Sequence, residues 1–182
     1  MRVIAGQFKG RRLKAPSWDG LRPTSDKLRE TLFNVLAPRI AGARVLDGYA
    51  GTGALGLEAL SRGAAHVTFV EHDRRAAALI EANLTLCGVK QSYTIECGDV
   101  ASVLRRTPRD AEFDLVLLDP PYDIAPDAVT EALEAAAARL ATGGLVVLER
   151  ARRREPEVPD ALSRVRDVTS GDSMLTLMKV HP

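Results

Sequence analysis

The sequence predicts an α/β protein built on a mostly parallel sheet with helices on both faces. From about residue 44, short apolar runs alternate strictly with longer helical stretches. A glycine-rich turn joins the first of these runs to the helix after it, and several of the runs end on a carboxylate. Strand and helix in alternation imply βαβ units, whose crossovers cover both sides of a parallel sheet.

Before that core, RVIA (2–5) and RRLK (11–14) flank GQFKG and read as a basic β-hairpin. After a loop ending at LRP (21–23), TSDKLRETLFNVLAP (24–38) reads as a helix. Thr24 or Ser25 is its cap, and Leu28, Leu32, Phe33 and Leu36 form its apolar stripe. The strands are expected at 44–47, 66–71, 93–97, 113–119 and 145–150, all β-branched or leucine-rich and bounded by Gly, Asp or Pro. Helices fall between them at 54–63, 73–88, 99–107 and 126–144. Asp73 and Asp99 are placed as N-caps, and Gly63, Gly88 and Gly143 as stops. The tail, 162–170 and 173–180, reads as a closing hairpin turned at Gly171-Asp172. Two units result: an extension over 1–40 and a core domain over 41–182.

Composition narrows the function classes. With 46% hydrophobic and 27% charged residues the chain suits one globular domain rather than a disordered one. No apolar run approaches the roughly 18 to 20 residues that span a bilayer. The N-terminus lacks the apolar stretch of a signal peptide. Cys87 and Cys97 have no metal-ligand spacing, so no metal and a reducing cytoplasm are expected.

A net charge of +1 conceals an asymmetry. Residues 1–44 hold ten basic and three acidic groups, a net of +7, and the other 138 hold 15 and 21, a net of −6. A basic segment on an acidic body suggests a polyanion-docking surface, although a solvated basic face reads the same way. Arginine outnumbers lysine 20 to 5, a ratio that phosphate-gripping guanidinium forks or a GC-rich genome would each produce.

The turn DGYAGTGALG (47–56) contains Gly51, Gly53 and Gly56 in G-x-G-x-x-G spacing, with Glu71 following Gly51 by 20 residues. Alone, this is a dinucleotide fingerprint and suggests a nicotinamide or flavin enzyme. Asp47 argues against it, because a carboxylate at the mouth of the loop repels a pyrophosphate. A cationic ligand is welcomed instead, and S-adenosylmethionine offers a sulfonium, an ammonium and a ribose diol. Asp47 then faces the amino-acid end, Glu71 accepts the ribose hydroxyls and Asp99 receives the adenine amine. Asp99 also fits a plain helix cap.

The fourth strand ends in LLDPPYD (117–123), where two prolines force the chain out of the sheet. An exocyclic base amine is a poor nucleophile because its lone pair is delocalised into the ring. Asp119 and the Pro120 carbonyl supply acceptors for its two hydrogens on a backbone that Pro120 and Pro121 hold rigid. Tyr122 supplies a flat face for a flipped base. These residues point to methyl transfer onto a planar amine, with a polyanion nearby.

RVIAGQFKGRRLKAP, LRPTSDKLRETLFNVL, VLDGYAGTGALGLEALSRGA, VEHD and DPPYD, in this order, resemble the RsmD family of class I, Rossmann-like methyltransferases. The resemblance covers most of residues 1–125 and is fold-level beyond. It implies a seven-stranded sheet of order 3-2-1-4-5-7-6 with strand 7 antiparallel. It also implies S-adenosylmethionine as methyl donor, S-adenosylhomocysteine as product, and guanine N2 of 16S ribosomal RNA in the small subunit as target. A monomer that meets no membrane is expected. Carried over, Asp119, Pro120, Pro121 and Tyr122 form the catalytic pocket. Thr24, Asp47, Ala50, Gly51, Gly53, Glu71, His72, Asp99 and Val100 form the cofactor site, with His72 also readable as a residue that merely ends its strand. Arg22, Pro23 and Thr24 match the family's lid over the amino-acid end. Lys9, Arg11, Arg12, Lys14, Arg22, Lys27 and Arg29 face RNA, and Arg152 to Arg154 read as a solvated face. Gly48 departs from the family's usual residue after the strand aspartate and is expected to loosen the loop.

Three rivals use parts of the same residues. Adenine-N6 enzymes share DPPY-type motifs, but the chain is too short for a separate DNA-recognition domain. Glutamine-amide methyltransferases more often begin the motif with asparagine. A nonenzymatic RNA-binding module would need only the basic hairpin.

Overall fold

The computed structural model describes residues 1–18 and 24–181. In chain order the elements are α1 (Asp26–Ile40), β1 (Arg44–Gly48), α2 (Ala54–Ser61), β2 (His66–Glu71), α3 (Arg74–Cys87) and β3 (Tyr93–Cys97). They continue with α4 (Val100–Arg106), β4 (Phe113–Leu118), α5 (Pro126–Ala137), β5 (Leu140–Ala151), β6 (Leu162–Ser170) and β7 (Ser173–Val180). One seven-stranded sheet has the order β3-β2-β1-β4-β5-β7-β6. β7 runs antiparallel to both neighbours and the other pairings are parallel. This is the class I methyltransferase arrangement that the family resemblance implied.

Alternation along the central strands builds two cores. Val45, Val67, Leu117 and Val147 point to one face and pack with Leu36 of α1, Leu57 of α2 and Ile80 of α3. Leu46, Val70, Val116 and Leu148 point to the other and pack with Leu104 of α4 and Leu133 of α5. Successive side chains of a strand face opposite ways, so a strand buried on both faces reads as continuously apolar.

Helix α2 explains the N-terminal extension. All eight of its residues are buried, because the sheet covers one side and residues 1–14 much of the other. The Glu58 carboxylate, 0% exposed, accepts the Ile4 and Ala5 amides at 2.8 and 3.0 Å and pairs with Arg62 at 2.7 Å. The Ser61 hydroxyl accepts the Phe8 amide at 2.9 Å. Asn83 of α3 exchanges hydrogen bonds with the Lys14 backbone. At Gly6 (φ +83°) an added Cβ would come within 1.9 Å of the Ser61 carbonyl oxygen, so only glycine permits this approach.

These contacts correct the expected hairpin. Residues 2–5 and 11–14 form one antiparallel bridge, Arg2 to Arg12, rather than a ladder. The Val3 and Leu13 amides still donate across the two arms, to the Arg11 and Met1 carbonyls, but those of Ile4, Ala5, Phe8 and Lys14 go to Glu58, Ser61 and Asn83. Two helix boundaries also differ. Ser25, not Thr24, caps α1 by accepting the Leu28 amide at 3.1 Å. Helix α5 ends at Ala137 instead of 144, because Leu140 already pairs with Phe113. Gly143 (φ +78°) therefore shapes an irregular start to β5, where the register shifts between Phe113 and Leu115, and does not stop a helix.

Glu58→Ala should leave two amides of the extension unpaired and destabilise the fold by about 1–3 kcal/mol. Urea unfolding measures the loss, and limited proteolysis should show new cleavage within residues 1–14 at protease levels that spare the wild type. An unchanged unfolding midpoint and cleavage pattern would contradict this anchoring.

Candidate active site

A cleft of about 500 Å³ opens at the carboxyl ends of β1, β2, β4 and β5, the edge where open α/β sheets bind ligands. It gathers Thr24, Asp47, Ala50, Gly51, Glu71 and His72, together with Asp119, Pro120, Pro121 and Tyr122. Residues far apart in sequence meet here because β1 pairs with both β2 and β4.

The turn after β1 is shaped by carboxylates. Asp47 is fully buried, and its Oδ2 accepts the Gly56 amide at 2.8 Å. Glu71 Oε2 accepts the Gly51 amide at 2.8 Å, while Oε1 accepts the Asp73 amide at 2.9 Å. Amides that would grip a pyrophosphate in a dinucleotide site are thus taken by the protein's own carboxylates. Asp47 Oδ1 has no hydrogen-bond partner among the described residues. Burial raises the Asp47 pKa well above its ordinary 3.8; the Gly56 amide opposes this, and the charges of Asp119 and Glu71 add to it. A buried acceptor among three carboxylates suits a cationic group and opposes a phosphate, so the residues present fit the amino-acid end of S-adenosylmethionine.

Gly53, Asp99 and Val100 do not line the cleft. Gly53 precedes α2 at φ +76°, and an added Cβ there would press on Ile80. Asp99 caps α4, its Oδ1 accepting the Ser102 amide at 2.9 Å. It reaches the cleft through its charge on Tyr49, a lining residue whose pKa rises to about 12, mainly from burial and then from Asp99. Val100 is buried behind the turn, 3.3 Å from where a Cβ on Gly48 would sit, and that Cβ would also come within 2.7 Å of Leu118. Gly48 therefore marks a tight approach rather than a loosened loop.

Asp119 follows β4 and its amide donates to the Gly48 carbonyl at 3.3 Å. The Thr24 hydroxyl donates to its Oδ2, tying the residue before the α1 cap to the strand end. The Tyr122 hydroxyl donates to Glu149 Oε1 at 3.3 Å. Arg154 donates to the Tyr122 carbonyl, so the run read as a solvated face holds the tyrosine's backbone in place.

Of the residues expected to face RNA, Lys9, Arg11, Arg12, Lys14 and Lys27 are exposed, and Arg22, with Pro23 of the lid, lies outside the described residues. Arg29 is corrected. It is 0% exposed, donating to the Arg2 carbonyl at 2.7 Å and pairing with Asp26 at 2.6 Å, so it braces the extension from inside. Among the lining residues that sequence reasoning missed are Trp18, Tyr49, Arg75 and Glu149. Tyr49 has φ +61°, a conformation strained for a bulky residue. The Arg75 guanidinium lies 5.0 Å from the Trp18 ring centre and is held by Asp73 at 2.8 Å. Glu149 carried a legible signal, since VVLE closes an apolar run on a carboxylate as LLD does.

The sequence profile of the family described as "Conserved hypothetical protein 95" matches residues 1–179. "Ribosomal RNA small subunit methyltransferase D" of Haemophilus influenzae is 45% identical over 124 residues, which are 67% of this chain and 64% of that protein. The protein of the same name from Escherichia coli is 43% identical over 123 residues, 67% of this chain and 60% of its own length. The matched stretch thus spans less than two thirds of these relatives. Among solved structures, the Escherichia coli yhhF chain superposes with a TM-score of 0.85 at 32% identity, covering 100% of this chain and 98% of that one.

Because the Asp47 pKa is raised in the folded chain, folding takes up a proton there. The group favours the folded state most below about pH 3.8, and stability falls as pH rises toward its folded pKa. Asp47→Asn should therefore be more stable than wild type at pH 8, by about 1–3 kcal/mol, and no more stable at pH 3.5. Urea unfolding at both pH values checks this; a difference independent of pH would assign the effect to packing.

Proposed function

The chain belongs to the RsmD family, and on that premise we propose that it transfers a methyl group from S-adenosylmethionine to guanine N2 in 16S ribosomal RNA. The convergence of Asp119, Pro120 and Tyr122 with a carboxylate-lined cleft carries the reading. The names of the ribosomal RNA methyltransferase relatives support the substrate class, and the family resemblance of the DPPY motif supports the guanine amine.

In this reading Asp47 and Glu71 hold the cofactor's ammonium and ribose ends, with Ala50, Gly51, His72 and the Trp18–Arg75 pair around the adenosine. Bound there, S-adenosylmethionine supplies a methyl group already activated by its sulfonium. The Asp119 carboxylate and the Pro120 carbonyl accept the two hydrogens of the amine. They orient its lone pair, and the amine sheds one proton after transfer. The Thr24 hydroxyl fixes the Asp119 rotamer, and Tyr122 stacks on the base. Positioning supplies most of the acceleration. No described group of His, Cys, Asp and Glu has the makings of a metal site, and the reading invokes none.

The extension over 1–40 acts as RNA dock and cofactor lid, with Lys9, Arg11, Arg12, Lys14 and Lys27 gripping phosphates. The partner is 16S RNA in an assembled or assembling small subunit, met by a monomer in the cytoplasm. No helix among the described residues is long and apolar enough to cross a membrane.

Labelled S-adenosylmethionine offered with unmethylated small subunits, naked 16S RNA and duplex DNA tests the proposal. N2-methylguanosine in RNA is the expected product; label in adenine, in protein or nowhere overturns the substrate. Asp119→Ala should cut turnover by at least ~100-fold with cofactor affinity near normal by calorimetry. A collapse of that affinity would move Asp119 into the cofactor site. Replacing Arg11 and Arg12 together with alanine should weaken RNA binding and reduce the slope of log affinity against log salt by about 2. An unchanged slope would remove both residues from the RNA surface.

A further inference from the structure

Glu149, at the carboxyl end of β5, is 5% exposed and lines the cleft beside Asp119. Leu118 and Leu148 are register partners on adjacent parallel strands. Asp119 and Glu149 therefore follow them side by side, about 4.8 Å being the usual strand spacing. The Tyr122 hydroxyl occupies Oε1, while Oε2 is shut off from water and has no hydrogen-bond partner among the described residues. The next residue, Arg150, turns to Thr176 and Asp167 instead. A buried carboxylate oxygen left in this state is costly unless a donor meets it.

We propose that Glu149 selects the base, its Oε2 accepting the ring N1–H of guanine while Asp119 and the Pro120 carbonyl hold the neighbouring N2 amine. The inference rests on the guanine reading above and deepens it. Guanine's Watson–Crick edge carries N1–H and the N2 amine next to each other, so two adjacent strand-end carboxylates meet two adjacent donors. Adenine presents an N1 lone pair beside its own amine, and a carboxylate there repels it. Tyr122 fixes the plane of the Glu149 carboxylate through Oε1, leaving Oε2 for the base.

2-Aminopurine separates the two edges, because it keeps the amine but has a lone pair at N1. Small subunits are reconstituted from ligated 16S RNA that carries guanine or 2-aminopurine at the nucleotide the wild-type enzyme methylates. Methylation rates are then compared. The wild type should favour guanine by at least ~100-fold, since a site built to bond a ring donor rejects analogues without it. In Glu149→Gln the amide oxygen still accepts from guanine and the amide nitrogen donates to 2-aminopurine. The preference should shrink ~10-fold or more while guanine stays a substrate.

Glu149→Asp, which keeps the charge, should slow guanine methylation and retain the rejection. A preference unchanged in Glu149→Gln, or equally relaxed in Glu149→Asp, overturns base selection by Glu149 and leaves the guanine-N2 reading standing. A wild type that puts no methyl on guanine removes both.

Discussion

Carboxylates crowd the carboxyl edge of this sheet, and most of the site's construction answers that crowding. Asp47, Glu71, Asp119 and Glu149 lie within or just past the last few residues of β1, β2, β4 and β5 and line one cleft. At Asp47, burial first and then the charges of Asp119 and Glu71 oppose ionisation. Part of the cost is offset locally: Gly56 and Gly51 turn their amides onto Asp47 and Glu71, and the Thr24 and Tyr122 hydroxyls donate to Asp119 and Glu149. What is left over, buried oxygens on Asp47 and Glu149, calls for a cation at one end of the cleft and a neutral donor at the other.

The same constraint gives the glycine turn its meaning. A G-x-G-x-x-G sequence between strand and helix suits an anionic pyrophosphate only when its amides are free to point at one. Here the protein's own carboxylates occupy two of those amides, and the turn becomes part of an acidic site.

The extension links outer charge to inner chemistry. Its buried side is stitched to α2 and α3 by Glu58, Ser61 and Asn83, and internally braced by Arg29, while Lys9, Arg11, Arg12, Lys14 and Lys27 stay outside. Trp18 and Thr24 bring the same segment to the rim of the cleft. A polyanion on the outer face and a small cation inside would be handled by two sides of one short stretch of chain.

The sequence by itself determined the strands apart from the start of β5, the helix caps at Asp73 and Asp99, the strand-end placement of Asp47, Glu71 and Asp119, and the class of sheet. Those features depend on local periodicity, capping and turn chemistry, which are written in neighbouring residues. Tertiary structure alone decided the rest. The Ile4, Ala5 and Lys14 amides went to α2 and α3 because a buried Glu58 and Asn83 stood within reach, which no hairpin pattern reveals. Arg29 sat on the stripe opposite solvent only once the extension had folded over it. Helix α5 stopped at Ala137 because Phe113 was waiting to pair with Leu140, although the alanine pattern ran on. Glu149 became a site residue because β5 lies beside β4, a neighbour relation set by strand order across thirty residues of intervening chain.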